Sequence, residues 1–141
     1  MKYYTLPIIL LISVLNTVHA DQSEQIKKYK QNYAEQLIPL LKEQMSTETE
    51  MESEADANEH IATIAERMAN CQLLAIEGYP QKYQNATIEP IANGAEIKKT
   101  ASDVNTMIQT DIENGDFSKQ DFLDITEAAT EKYKVCISYP E

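Results

Sequence analysis

The chain contains no tryptophan, and its glycines and cysteines number only three and two. So few glycines argue against an all-β fold, which needs many turns, and no stretch alternates apolar and polar residues as a strand would. The two cysteines do not form C-x-x-C, so no dithiol redox centre is expected. Histidine is nearly absent: His19 lies in the N-terminal segment and His60 is the other. One imidazole without spare thiolates makes no zinc site, and neither H-E-x-x-H nor G-x-S-x-G occurs. The missing tryptophan also removes the broad aromatic platform that sugar clefts favour. Carboxylate pairs, the machinery of glycosidases, occur in any acidic helical chain and single out nothing. A carboxylate-pair hydrolase is therefore the remote alternative. The expectation is a protein that is not an enzyme and uses no cofactor and no metal.

What is present begins with Met1–Ala20, MKYYTLPIILLISVLNTVHA. Lys2 supplies a positive start, Leu6 to Leu15 a mostly apolar run, and Val18-His19-Ala20 the compact residues a signal peptidase reads. A bilayer span needs about 20 apolar residues, so the run is too short for one. We read residues 1–20 as a cleaved secretory signal and 21–141 as a single exported domain. The compartment is the periplasm in a bacterium and the extracellular space otherwise. No cysteine follows the apolar run, so no lipid anchor is expected.

Acidic residues outnumber basic ones by 23 to 12, a formal charge of −11, or −12 once Lys2 leaves with the signal. Such a chain repels nucleic acid and anionic lipid surfaces, so neither is an expected partner and no stable membrane association follows signal cleavage. A basic protein is favoured instead. The densest acidity is ETEMESEADANE, residues 48–59, with Glu48, Glu50, Glu52, Glu54, Asp56 and Glu59 as candidate partner-binding residues. On a helix these set like charges four apart, each pair costing about 0.2–0.5 kcal/mol. A frayed, solvated lead-in to a helix is expected there.

The fold class is all-α, a small bundle of about four helices. The first is expected from Ser23, its cap, to about Met45, with Ile26, Tyr29, Tyr33, Leu37, Leu40/Leu41 and Met45 in its stripe. Pro39 predicts a kink or break near Leu37–Ile38. Thr47 with Glu50 has capping-box form. The second helix carries HIATIAERMANCQLLAIE, its stripe running through Ile61, Ile64/Ala65, Met68, Cys71 and Ala75/Ile76, and Gly78 with Pro80 stops it. Residues 79–94 read as irregular, with a short helical turn around Gln81–Ala86 and a glycosylation sequon at Asn85-Ala86-Thr87. The third helix is expected from Ala95 to about Glu113, with Ile97, Ala101, Val104, Met107/Ile108 and Ile112 in its stripe, and Asn114-Gly115 ends it. The fourth starts from Ser118 and carries Phe122, Ile125, Ala129, Tyr133 and Cys136 on one face, until Pro140 blocks it.

Cys71 and Cys136 lie in apolar stripes of an exported chain, which predicts a disulfide between helices two and four. Both lie near the C-terminal ends of their helices, and successive helices alternate in direction. Helices two and four are therefore expected to run parallel and side by side. They cannot be diagonal, because a disulfide needs Cα atoms within about 7 Å. Helix one is then laid against a core of helices two, three and four.

Asn114–Phe122, NGDFSKQDF, resembles the second half of an EF-hand calcium loop, with Asn114 at position five, Gly115 at six and Asp121 at twelve. Upstream, Thr110 and Ile112 fall where oxygen ligands belong, so a plain helix connection is expected. Tyr29, Tyr33, Tyr79, Tyr83, Tyr133 and Tyr139 are expected at core edges, rings inside and hydroxyls wet. In general type the chain is similar to periplasmic immunity proteins, which neutralise toxic secreted enzymes. It also resembles odorant-binding proteins in size and acidity, but lacks their six-cysteine pattern. The leading expectation is an exported, non-enzymatic binding protein, an inhibitor whose acidic face docks a basic partner. The alternative is a carrier of a small apolar ligand in a pocket lined by Tyr and Met.

Overall fold

The computed structural model describes residues 15–45 and 54–139, without the side chains of 15–21. They form five helices: α1 (Leu15–Met45), α2 (Glu54–Ile76), α3 (Gln81–Ala92), α4 (Ile97–Asn114) and α5 (Lys119–Ser138). No strand occurs among the described residues. Residues 1–14 of the expected signal, the expected Thr47–Glu50 cap and the acidic residues Glu48, Glu50 and Glu52 lie outside them. The fold class is as expected; the count is five rather than four, and the additional helix is α3.

That helix occupies the stretch expected to be irregular. Two prolines hide it. Pro80 sits at its N-cap in extended conformation (φ −50°, ψ 143°), where a missing N–H costs nothing. Pro90 falls in the last turn, so the helix ends soon after it, and its carbonyl accepts from Asn93 N and Ala95 N. Tyr83, Ile88, Ile91 and Ala92 are buried along one face. The sequon Asn85-Ala86-Thr87 therefore lies inside a helix, where the Thr87 hydroxyl donates to the Tyr83 carbonyl at 2.8 Å, rather than on a loop.

α1 is the central helix, not a peripheral one. It packs on both α2 and α3, and its Tyr29 is fully buried at the middle of a cluster with Ile76, Ile88, Ile91 and Ala92. The expected core stripe of α2 is largely realised: Ile61, Ala65, Cys71, Ala75 and Ile76 are buried. Ser23 lies inside α1 rather than at its start, and the helix runs unbroken through Pro39. Pro39 deprives the Glu35 carbonyl of its helical donor, but both residues are exposed, which is where a helix tolerates the loss. The Ala20–Asp21 junction also falls within α1. Among the described side chains, α1 meets this cluster through Ile26, Tyr29 and Tyr33.

Two amides on α1 organise the far end of the molecule. Asn32 Nδ2 donates to the Ile91 and Ala92 carbonyls at 3.0 Å, satisfying acceptors at the C-terminus of α3. Gln36 receives Ile97 N at 2.9 Å and donates to the Ala95 carbonyl at 3.0 Å, so it caps α4 from another helix. The Glu96 cap position itself makes no side-chain capping bond.

Cys71 and Cys136 are bridged, with Cα atoms 5.5 Å apart, and α2 and α5 are direct neighbours. The expected parallel orientation is overturned. Arg67 reaches the Cys136 carbonyl at 3.4 Å, whereas Tyr79, just beyond α2, reaches Thr126 at 3.0 Å. As α2 advances, its contacts retreat along α5, so the pair is antiparallel. The cause is α3: an extra helix between them reverses the direction in which the last one arrives.

Candidate functional site

α4 packs on α3, and α5 packs on α2, but α4 and α5 do not pair closely with each other. Their connection is tight. Gly115 adopts φ 79°, Asp116 N and Phe117 N bond back to the Asp111 carbonyl, and Ser118 Oγ accepts from Gln120 N and Asp121 N. The segment resembling a calcium loop is thus a glycine stop followed by a serine cap. Among the described residues no group of three or more His, Cys, Asp or Glu side chains could hold a metal.

From this turn the two helices diverge around a cleft of about 480 Å³. Ala75 and Ile76 of α2 and Tyr83 of α3 form its buried floor. Val104 and Ile108 line it from α4, and Phe122, Ala129 and Tyr133 from α5. Along α5 the lining runs from Phe122 to Lys134, about 18 Å at 1.5 Å per residue. The end nearest the turn is closed by aromatic rings: Phe117 stands 5.4 Å from Tyr83 and 6.4 Å from Phe122 between centroids. Volume and lining fit a small-molecule pocket, which is typically concave, mostly apolar and about 300–1,000 Å³.

Its polar groups are mostly committed. Thr87, Thr126 and Thr130 each donate their hydroxyl to the carbonyl four residues back. Because Thr126 spends its only proton that way, the Tyr79 hydroxyl is the donor in the 3.0 Å Tyr79–Thr126 bond. Tyr83 turns its hydroxyl away from the cleft to Asp111, 2.5 Å away, which Lys82 also contacts. The Lys82 ammonium, and then the Tyr83 hydroxyl, hold the Asp111 carboxyl below its usual range. Burial raises the phenols of Tyr33 and Tyr133 above the ordinary tyrosine value, and that of Tyr29 much further. All three stay neutral across physiological pH.

Three other hollows are each lined by at least one glutamate: Glu35 and Glu96 beside Pro39, Glu35 and Glu66 between α1 and α2, and Glu77 where α1, α2 and α3 meet. The α4–α5 cleft has none among the described residues.

The expected site residues are dispersed relative to this cleft. Glu54, Asp56 and Glu59 are exposed at the start of α2, and His60 beside them is exposed too. Of the six tyrosines, Tyr79, Tyr83 and Tyr133 line the cleft, and no methionine does, which corrects the Tyr/Met lining expected for a carrier. Tyr29, Tyr83 and Tyr139 depart from the core-edge reading: the first two are buried, Tyr29 without a partner for its hydroxyl among the described residues, and Tyr139 is exposed. The cleft residues Val104, Ile108, Phe122 and Ala129 did stand in the helical stripes. Nothing in those stripes marks them as facing each other across a gap.

Comparison of the chain with protein-family models, with curated proteins and with solved structures finds no match. The functional reading therefore rests on the residues alone.

Proposed function

We propose that this chain is an exported, non-enzymatic binding protein that carries a small apolar ligand between α4 and α5. The observation that carries the reading is the cleft itself, with its mostly apolar, carboxylate-free lining in a chain of charge −11. Val104, Phe122 and Tyr133 are only half-buried there. A ligand that covered them would gain about 25 cal/mol for each Å² of apolar surface removed from water. The signal-like residues 1–20 support export, and the Cys71–Cys136 bridge is compatible with an oxidising compartment. Native mass spectrometry of protein purified from its source tests the reading. The expected spectrum holds a second species, heavier by one small organic molecule that denaturation releases. A single ligand-free mass counts against it.

A second reading is an inhibitor that docks a basic protein. It is supported by the exposed Glu54, Asp56 and Glu59 and by the net charge. Pull-down at rising salt distinguishes it. Capture that resists salt, or that survives Glu48, Glu50, Glu52 and Glu54 changed to Gln, counts against this docking.

A further inference from the structure

The charge of the cleft is opposite to that of the chain around it. Acidic residues outnumber basic ones by 23 to 12, yet among the described residues the one charged side chain lining the cleft is Lys134. Lys134 is exposed and makes no ion pair among the described residues. It lies toward the C-terminal end of α5, far from the turn, and so at the opposite end of the cleft from the Tyr83–Phe117–Phe122 rings. Tyr133 lines the same end, close enough to Tyr33 of α1 to help raise that phenol, and its hydroxyl makes no hydrogen bond among the described residues. A tyrosine phenol is protonated at neutral pH, and burial shifts the Tyr133 phenol further the same way, so it is a donor. The threonine hydroxyls along the cleft have already given their protons to helix carbonyls. One end thus offers an ammonium and a phenol, both donors, with the Gln72 amide nearby beside the Cys71–Cys136 bridge, and the rest offers mostly apolar walls, broken by the Asn105 amide and closed by aromatic rings.

We infer that the cleft takes a single-chain amphiphile with a monoanionic head, a free long-chain carboxylate. The head lies at Lys134 and Tyr133, and the hydrocarbon runs along α5 toward Phe122. This rests on the carrier reading and specifies its ligand. A carboxylate has only acceptors, which matches two donors and no competing acid. A cationic head would meet Lys134 as a like charge. An uncharged chain would gain only from apolar area and leave the ammonium without a counter-charge.

The test is calorimetric titration of the lipid-stripped chain with palmitate and, separately, with hexadecanol, the same chain bearing an uncharged head. Palmitate should bind about tenfold tighter, the scale of one hydrogen bond to a charged group. Lys134→Met should bring palmitate down to the affinity of the alcohol, and added salt should narrow the gap in the wild type. Lys134 is exposed, so an unchanged melting temperature verifies that the variant is folded. Equal binding of the two ligands, or palmitate affinity indifferent to Lys134→Met, overturns the head-group assignment and leaves the carrier reading standing. Failure of both ligands to bind overturns both.

Discussion

Opening the Cys71–Cys136 bridge is the perturbation whose size follows most directly from the fold. The bridged residues are 65 apart in sequence. Closing a loop of that length removes unfolded-chain entropy worth about 4 kcal/mol in the chain-entropy treatment. A chain of this size has an unfolding entropy near 2.1 cal/mol/K for each residue, so the melting temperature should fall by about 15 °C. The loss should also be uneven. α5 is held chiefly by α2, through the bridge, the Arg67 contact to Cys136 and the Tyr79–Thr126 bond. The Tyr29-centred cluster draws on α1, α2 and α3 and on no residue of α5. The assay is thermal unfolding by circular dichroism of the oxidised protein beside a Cys71→Ala, Cys136→Ala variant, with hydrogen exchange on both. Expected is a large fall in melting temperature, with protection lost first in α5 and kept at Tyr29, Ile88 and Ile91. Cys71 is fully buried, so the alanine variant also loses some packing, and reduction of the wild type isolates the bridge. A fall of only a few degrees on reduction would refute the loop argument and mean an unfolded state already compact without the bond.

Further outcomes follow from single side chains. Tyr29→Phe removes a buried hydroxyl without a partner among the described residues, so it should stabilise the fold by about 1 kcal/mol, read in urea denaturation; destabilisation would mean that the hydroxyl is bonded. Gln36→Ala strips the cap from α4 and a donor from the Ala95 carbonyl, and should cost about 1–2 kcal/mol in the same assay, with α4 amides exchanging faster. Asp111 has its folded pKa depressed by Lys82 and Tyr83, so its contribution is present above the unfolded carboxylate value and is lost as pH falls through the folded one. Asp111→Asn should therefore be less stable than wild type at neutral pH and converge with it in acid; a stability gap independent of pH would contradict that assignment.

Much of the architecture was legible in the sequence because a buried helix face repeats with the helix period. Ile61, Ala65, Cys71 and Ala75/Ile76 announced α2, and Gly115 and Ser118 punctuated α4 and α5 where expected. Pro80 and Pro90 concealed α3, since proline is read as a breaker and its tolerated places, before a helix and in its final turn, look the same in sequence. That one omission carried through the geometry. It made α2 and α5 parallel rather than antiparallel, although the pairing of their cysteines was right. It also left α1 at the edge, because the partner that buries its second side was missing. The cleft was invisible for a different reason. Stripes on α4 and α5 show that each has an apolar face, but not that the two helices attach to different neighbours and stand apart. Asn32 and Gln36, one helical turn apart on α1, carried no signal, since amides on a long polar helix read as surface. Lys134 drew no notice either, as one lysine among exposed residues acquires meaning only from what lines the space beside it.

The most direct measurement of the central claim is a titration with an apolar naphthylamine probe, read by fluorescence, before and after the cleft is filled. Ala101→Phe with Thr130→Phe does this from two exposed positions that line the cleft, so the fold tolerates the added rings. Saturable, one-to-one binding to the wild type is expected, with its loss in the filled variant at an unchanged melting temperature. Equal binding by the filled variant would contradict the claim, because the ligand would then lie somewhere other than between α4 and α5.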